Sequence, residues 1–246
     1  MSLKILLCGA GGRMGQSISS ICENHGCSVS FPVDLGDDPA DGIDQCDVVI
    51  DFSLREATLP LARLSADHSK PMVIGTTGHN PEEKAHIIEL SSKVPIVWAG
   101  NFSTGVNLLF YLTEQAAKVL DAQSNFDIEV IEMHHRLKKD APSGTADRLL
   151  EILRDSRGLK SEEVMHGRNG IVGERPDREI GSHALRGGDV VGDHTVYFAG
   201  MGERVELTHR ATDRTVFAAG ALRAAKWVIN ADTGLYSMQD VLGLSS

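Results

Sequence analysis

An apolar run, Leu3–Cys8, broken only by Lys4, stops at Gly9-Ala10-Gly11-Gly12-Arg13-Met14-Gly15 and gives way to a helical stretch through Ile18, Ile21 and Cys22. A strand that is apolar throughout belongs in a sheet covered on both faces. The glycines after it permit a turn tight enough to start a helix at once. The alternation then repeats. Val29–Val33, Val48–Asp51, Met72–Gly75 and Pro95–Trp98 read as strands. Helices are expected over Arg55–Asp67, with Leu59, Ala62 and Leu64 partly on one face, and from Pro81 through Ile87, Ile88 and Leu90. Strands separated by helices argue for parallel pairing through crossovers, and so for an α/β fold.

The loop fails a strict GxGxxG from Gly9, because Met14 holds the sixth position; Gly9-x-x-Gly12-x-x-Gly15 describes it better. Its chemistry survives the variation, since missing side chains let a pyrophosphate approach backbone N–H groups at a helix N-terminus. An ordinary turn also uses glycine. Here, however, the second strand ends in a carboxylate, Asp34, at about the 20-residue distance that dinucleotide binding requires. Gly9, Ala10, Gly11, Gly12, Arg13, Met14 and Asp34 are therefore expected to bind a dinucleotide. Asp34 can accept from both adenosine ribose hydroxyls. Leu35, Asp37, Asp38 and Asp41 follow it, and Arg13 is the obvious cation nearby, so a 2′-phosphate would meet several carboxylates. NADH is expected to be preferred, with NADPH as a second donor. Gly75-Thr76-Thr77-Gly78 and Ala99-Gly100-Asn101-Phe102 also follow apolar runs, at the strand ends where ligands lie in open α/β sheets. Gly75, Thr76, Thr77, Ala99, Gly100, Asn101 and Phe102 complete the expected cofactor segments.

Beyond residue 103 the pattern changes. Val106–Leu120 and Ser143–Arg157 read as helices, and Phe126–Met133, Asp189–Phe198 and Arg204–Thr208 as strands. Residues 161–188 show little apolar periodicity and read as a long loop, with the charged stretch Arg168–Arg178 as a solvated segment or a lid. Arg214–Asn230 is helical again, so an open mixed sheet is expected as an insertion before a final helix.

The formal net charge is -10, which argues against general nucleic-acid binding, because phosphate neutralisation needs clustered Lys and Arg. An anionic ligand would need a locally positive site. One exists: from His134 to Lys139, five of six residues can carry positive charge, and Asp140-Ala141-Pro142-Ser143-Gly144-Thr145 then opens a helix. Lys138 can act as a point charge and a histidine can transfer a proton near neutral pH. Ser143, Gly144 and Thr145 can offer hydroxyls and backbone donors to a carboxylate. Either feature alone would suit exposed histidines or a plain N-cap; together, at a strand end, they favour a site. No metal is expected, since adjacent histidines point apart on an extended chain and no spaced Cys or third His completes a zinc set. His194 and His209 are expected as strand residues with hydrogen-bonded partners.

Cys8, Cys22, Cys27 and Cys46 include no CxxC pair and suit buried thiols in a reducing cytoplasm. With no signal-like core and no apolar stretch near 18 residues, neither secretion nor a membrane span is expected.

The strings GAGGRMG, GTTG, GNFSTGVN, EMHHRLKKDAPSGTA and GGDVVGDHTVYFAGMGERVELTHRATDRTVFAAGALRAAKW together resemble the dihydrodipicolinate reductase family over nearly the whole chain. HHRxKxDAPSGT is the most specific of these motifs. The resemblance implies an NAD(P)H-dependent oxidoreductase that reduces 4-hydroxy-tetrahydrodipicolinate in diaminopimelate and lysine biosynthesis, as a homotetramer. It implies a Rossmann-like dinucleotide-binding domain over 1–103 and 215–246, completed by the C-terminal helix. An α+β domain over 104–214 would bind substrate and make the oligomer contact. It makes His134 the proton donor and Lys138 its essential companion, gives His135, Ser143, Gly144 and Thr145 to substrate, and puts Arg214 near a hinge. The chain departs from the family in a short segment after Asp34, in Leu35 where a basic residue is common, and in His79 where an aromatic residue is common. An aspartate-type dehydrogenase would share the first domain but has no use for the whole HHRxKxDAPSGT string. An NADH-sensing regulator would need an effector module, for which no segment remains.

Overall fold

The computed structural model describes residues 2–120 and 125–244. The chain folds as two compact units, one of Met1–Thr104 with Arg214–Ser246 and one of Gly105–Asp213.

In the first unit, β1 (Leu3–Cys8), β2 (Cys27–Val33), β3 (Val48–Asp51), β4 (Met72–Ile74), β5 (Pro95–Trp98) and β11 (Gly234–Tyr236) form a parallel, Rossmann-like sheet in the order β11-β5-β4-β3-β1-β2. The pleat divides each strand between two cores. Ile5, Leu7, Val48, Ile50, Val73 and Val97 pack against α1 (Arg13–Ile21), α6 (Thr215–Val228) and α7 (Met238–Leu242). Leu6, Val49, Met72, Ile74 and Ile96 pack against α2 (Arg55–Asp67) and α3 (Pro81–Leu90). Strand order reverses at β1 and β3, which opens a crevice outside their carboxyl ends.

Helix α2 buries Thr58, Leu61, Ala62, Ser65 and Ala66, with Leu59 and Leu64 half-buried against the same core as expected. Thr58 donates to the fully buried Asp51 at 2.7 Å. One expectation needs correction here. The helix read over Arg214–Asn230 is not the last element, because β11 and α7 follow it. Three residues of strand are too few to show a period.

The second unit holds β6 (Asp127–His134), β7 (Val164–His166), β8 (Ile180–Arg186), β9 (Gly192–Gly200) and β10 (Glu203–Ala211) in the order β10-β9-β6-β8-β7. It is a mixed sheet. β8 runs parallel to β6 and β7, whereas β9 is antiparallel to β6 and β10. α4 (Thr104–Val119) and α5 (Gly144–Arg157) cover one face, with Val106, Leu109, Phe110, Leu149 and Leu153 against Ile128, Val130, Ile180, Val196 and Phe198.

The segment 161–188 is therefore not one long loop, since both β7 and β8 lie within it. Nor are its charges simply solvated. Arg168 bonds Glu129 at 2.7 Å and also Glu179, while Arg175 reaches Asp127 at 2.8 Å. Burial alone would raise the Glu129 carboxyl, but Arg168, His183 and Arg175 outweigh it and hold it at about 2. Gly181 makes this packing feasible, since a Cβ there would lie 1.8 Å from a Glu129 carboxylate oxygen.

All four cysteines are buried free thiols, and among the described residues no helix is long and apolar enough to cross a membrane. Helix α6 approaches the end of β5 so closely that a Cβ on Gly220 would stand 1.7 Å from the Phe102 carbonyl oxygen. Gly220→Ala is expected to cost about 1–3 kcal/mol by overpacking. This would appear as a lower urea midpoint at unchanged m-value; an unchanged midpoint would refute such close packing.

Candidate active site

The crevice of the first unit is built by glycine at the positions where a side chain would collide. Gly9 has φ +78°, and a Cβ on it would come 2.3 Å from the Phe52 carbonyl oxygen; a Cβ on Gly15 would come 2.2 Å from the Gly9 carbonyl oxygen. Helix α1 starts on Gly12 with no side-chain cap and no acid in its first turn, so its positive end is open to an anion. Asp34, at the end of β2, accepts from the Gly11 N–H at 2.8 and 3.1 Å, which brings the expected acid onto the loop itself. A groove of about 670 Å³ runs along these residues past Leu35, Phe52, Leu54 and Pro60. Gly75 is seated on the Phe52 ring, where a Cβ would lie 2.1 Å away. Thr76 is buried and Thr77 exposed. Ala99 N–H donates to the Ile74 carbonyl at 3.1 Å, Asn101 caps Ser103 N–H at 2.9 Å, and the Phe102 ring meets Phe52 edge-on at 5.5 Å. Gly100 is adjacent to Thr77, and both line a smaller hollow with His79 and Trp98. His79 packs edge-on against Trp98, its Nε2 buried without a partner among the described residues, and burial lowers its pKa. The glycine cradle, the uncapped helix end and Asp34 fit a dinucleotide.

In the second unit the site grows from the pleat of β6. Ile128, Val130, Glu132 and His134 alternate toward the helix-covered face, so the last two rungs of an apolar row are polar. The register sets His194 of β9 directly across from Glu132, and Arg186 of β8 beside His134. Glu132 is 1% exposed. One oxygen is hydrogen-bonded to His134 Nδ1 and the other accepts from Arg186 at 2.8 Å. Burial alone would raise this carboxyl; the bonds from His134 and Arg186 outweigh it and keep it below the usual carboxylate range. The His134 and His194 rings meet edge-on at 5.1 Å. His194 Nε2 lies 3.1 Å from the hydroxyl of Ser143, which caps α5 by accepting from Ala146 N–H at 3.2 Å.

Between β6 and α5, Lys138 pairs with Asp140 at 2.9 Å, a contact partly open to solvent. Arg186 ties this loop down through the Asp140 carbonyl at 2.7 Å. His135 and Thr145 are half-buried and Gly144, at the first turn of α5, is exposed. An exposed pair is worth little, so an entering carboxylate can take Lys138 from Asp140. Two sequence expectations are revised. His194 and His209 are on strands, and His194 has its expected partner in Ser143, but the Nδ1 atoms of both are buried without a partner among the described residues. The sequence shows no metal set, whereas the fold gathers ligand atoms of Glu132, His134 and His194 within 4.8 Å of one another. Arg186 already gives that carboxylate a cationic partner.

Family models for the N-terminus and the C-terminus of dihydrodipicolinate reductase match residues 3–102 and 105–242. The chain belongs to the dihydrodipicolinate reductase family. It is 51% identical over 245 residues to a protein of Akkermansia muciniphila named 4-hydroxy-tetrahydrodipicolinate reductase, covering 99% of each chain. A protein of the same name from Geobacter metallireducens is 44% identical over 266 residues, covering 98% of this chain and 99% of its own. The solved structure of a dipicolinate-bound dihydrodipicolinate reductase from Paenisporosarcina sp. TG-14 superimposes with a TM-score of 0.79 at 24% identity, over 98% of this chain and 99% of that one. At that identity the likeness speaks for the fold.

The roles of Phe52, Glu132, Asp140, Arg186 and His194 were not visible in the sequence. Glu132 alone carried a usable signal, two residues before His134 in a strand, where side chains share a face. The environment of His194 gives a further expectation. Burial, then the charge of His134, pushes its pKa down from 6.5 to about 3. The folded state thus binds fewer protons than the unfolded state between those values. Stability is full above 6.5 and falls as pH drops toward 3. The contribution of one such group is at most about 1.4 kcal/mol per pH unit. Chemical denaturation across this window should show a shallower slope for His194→Gln; equal slopes would contradict the assignment.

Proposed function

We propose that the chain reduces 4-hydroxy-tetrahydrodipicolinate with NADH, using the first unit for the dinucleotide and the second for substrate. The observation that carries this reading is the His134–Glu132–Arg186 cluster one turn of chain before Lys138 and the Ser143 cap, in a family whose named relatives carry this activity. Gly9 to Met14 and the α1 N-terminus would cradle the pyrophosphate. Asp34 would take the adenosine ribose, and Gly75–Thr77 with Ala99–Phe102 would border the nicotinamide end. Bound NADH would supply the hydride for reduction of the dehydrated, conjugated substrate at ring C4. The resulting enamine needs a proton at C3.

His134 is suited to that transfer. Its Nδ1 is engaged by a carboxylate, which leaves Nε2 to carry the mobile proton. Lys138 would exchange Asp140 for a substrate carboxylate, and His135 with the Ser143, Gly144 and Thr145 donors would hold the ring in one orientation, an entropic gain. Oxidation of NADH, followed by its absorbance on mixing with freshly made cyclic substrate, tests the reading. His134→Gln should lower kcat by about 10²–10⁴-fold, as expected for loss of a general acid, with little change in KM. Lys138→Ala should damage both. Full turnover by His134→Gln would overturn the acid assignment.

The cofactor preference rests on charge. Leu35 stands beside Asp34 on the groove with Asp37 and Asp38, so a 2′-phosphate would be placed among carboxylates. We expect kcat/KM to favour NADH by about tenfold, equivalent to about 1.4 kcal/mol. Equal values for the two donors would refute this. The reading also includes a homotetramer assembled through the second unit, whose helix-free sheet face leaves Leu185 exposed. Four unpaired buried thiols agree with a reducing, cytoplasmic setting.

A further inference from the structure

We propose that Glu132 is a positioning residue that fixes the tautomer of His134, and that Arg186 dictates which atom of residue 132 faces the imidazole. The inference deepens the reading of His134 as proton donor and rests on it for its meaning in catalysis, but not for its test.

The geometry leaves one arrangement. Glu132 is buried to 1% exposure and binds two partners through separate oxygens, His134 Nδ1 on one and Arg186 Nη2 on the other. An ionised carboxylate only accepts and a guanidinium only donates. Nδ1 must therefore bring the hydrogen to Glu132, and the remaining ring nitrogen, Nε2, is the atom that gains and loses the transferable proton. Nε2 faces Gly192, where a Cβ would lie 3.0 Å from it; a glycine there leaves the atom accessible. A carboxylate behind a ring nitrogen is a general device for setting tautomer and orientation. In this chain the pleat supplies it, since residues 132 and 134 share a face.

Arg186 gives the inference a signature that a merely structural role would lack. In Glu132→Gln the side chain keeps its shape. Arg186 still needs an acceptor, so it claims the amide oxygen and turns the amide NH₂ toward His134. That group can only donate, so Nδ1 must be bare and the neutral ring must carry its hydrogen on Nε2. Removing Arg186 as well frees the amide to rotate, and its oxygen can again accept from Nδ1–H. Arg186→Met alone leaves a carboxylate behind the ring and should leave the tautomer unchanged.

The test is ¹⁵N NMR of histidine-labelled free protein at alkaline pH, with the His134 signals assigned by their loss in His134→Gln, alongside steady-state kinetics. Wild type and Arg186→Met should show the Nδ1–H form, Glu132→Gln the Nε2–H form, and Glu132→Gln/Arg186→Met a return to Nδ1–H. The kcat of Glu132→Gln should fall by about 10²–10⁴-fold, the range for a misplaced acid, with KM for substrate within about threefold. The double variant should recover about tenfold or more of that loss in kcat, by restoring the correct tautomer. Nδ1–H persisting in Glu132→Gln, loss of Nδ1–H in Arg186→Met, or no return in the double variant would overturn the proposal. If the tautomers follow this pattern but wild type fails to oxidise NADH with the substrate, the positioning stands and the assigned reaction falls.

Discussion

Successive side chains of a strand leave on opposite faces, and both units of this chain depend on what the sequence does with that rule. In the first, each face of the parallel strands is apolar, so Ile5 and Leu7 serve one core while Leu6 and Cys8 serve the other. The central strands are then closed to water on both faces, and the glycines and Asp34 stand at the carboxyl edge. In the second, only one face is covered by helices, and β6 changes from Ile128 and Val130 to Glu132 and His134 without leaving that face. The apolar rungs hold the strand in register, and the same register delivers the polar rungs to Arg186 and His194.

Buried charge follows from this plan. Glu129 and Glu132 point from one strand to opposite faces, and each is matched to arginine from a later part of the chain: Arg168 and Arg175 for the first, Arg186 for the second. Each carboxylate has a histidine as well as arginine for a partner, and losing one partner of a buried pair costs stability by leaving charge less compensated. The molecule as a whole is acidic, yet the stretch around His134 is surrounded by cations. Local compensation allows an anion to be held within a molecule that repels anions at long range.

Much of this was legible in the residues. The first five of the six strands in the first unit, the glycine loop and Asp34 announced themselves, because parallel sheets demand continuous apolar runs and the loop demands glycine. The basic run from His134 to Lys139 also stood out against the net charge. What stayed hidden depended on partners distant in sequence. β8 looked like loop because its neighbourhood is rich in glycine and arginine, and only Glu129 makes sense of Gly181 and Arg168. His194 lies 51 residues from Ser143, and nothing local marks it as the neighbour of His134. β11 is three residues long and is a strand only because β5 offers it an edge.

That last strand bears on how the molecule is made. The first unit takes α6, β11 and α7 from the far end of the chain, after the whole of residues 105–213. Domains generally mature in the order in which they leave the ribosome, but here the interrupted unit cannot. Until Ala221, Ala225 and Val228 arrive to cover Ile5, Leu7 and Val73, one side of the nascent sheet is bare apolar surface. The inserted unit has every strand and helix it needs while its host is still unfinished. The unit that begins first is therefore the last to have its chain complete.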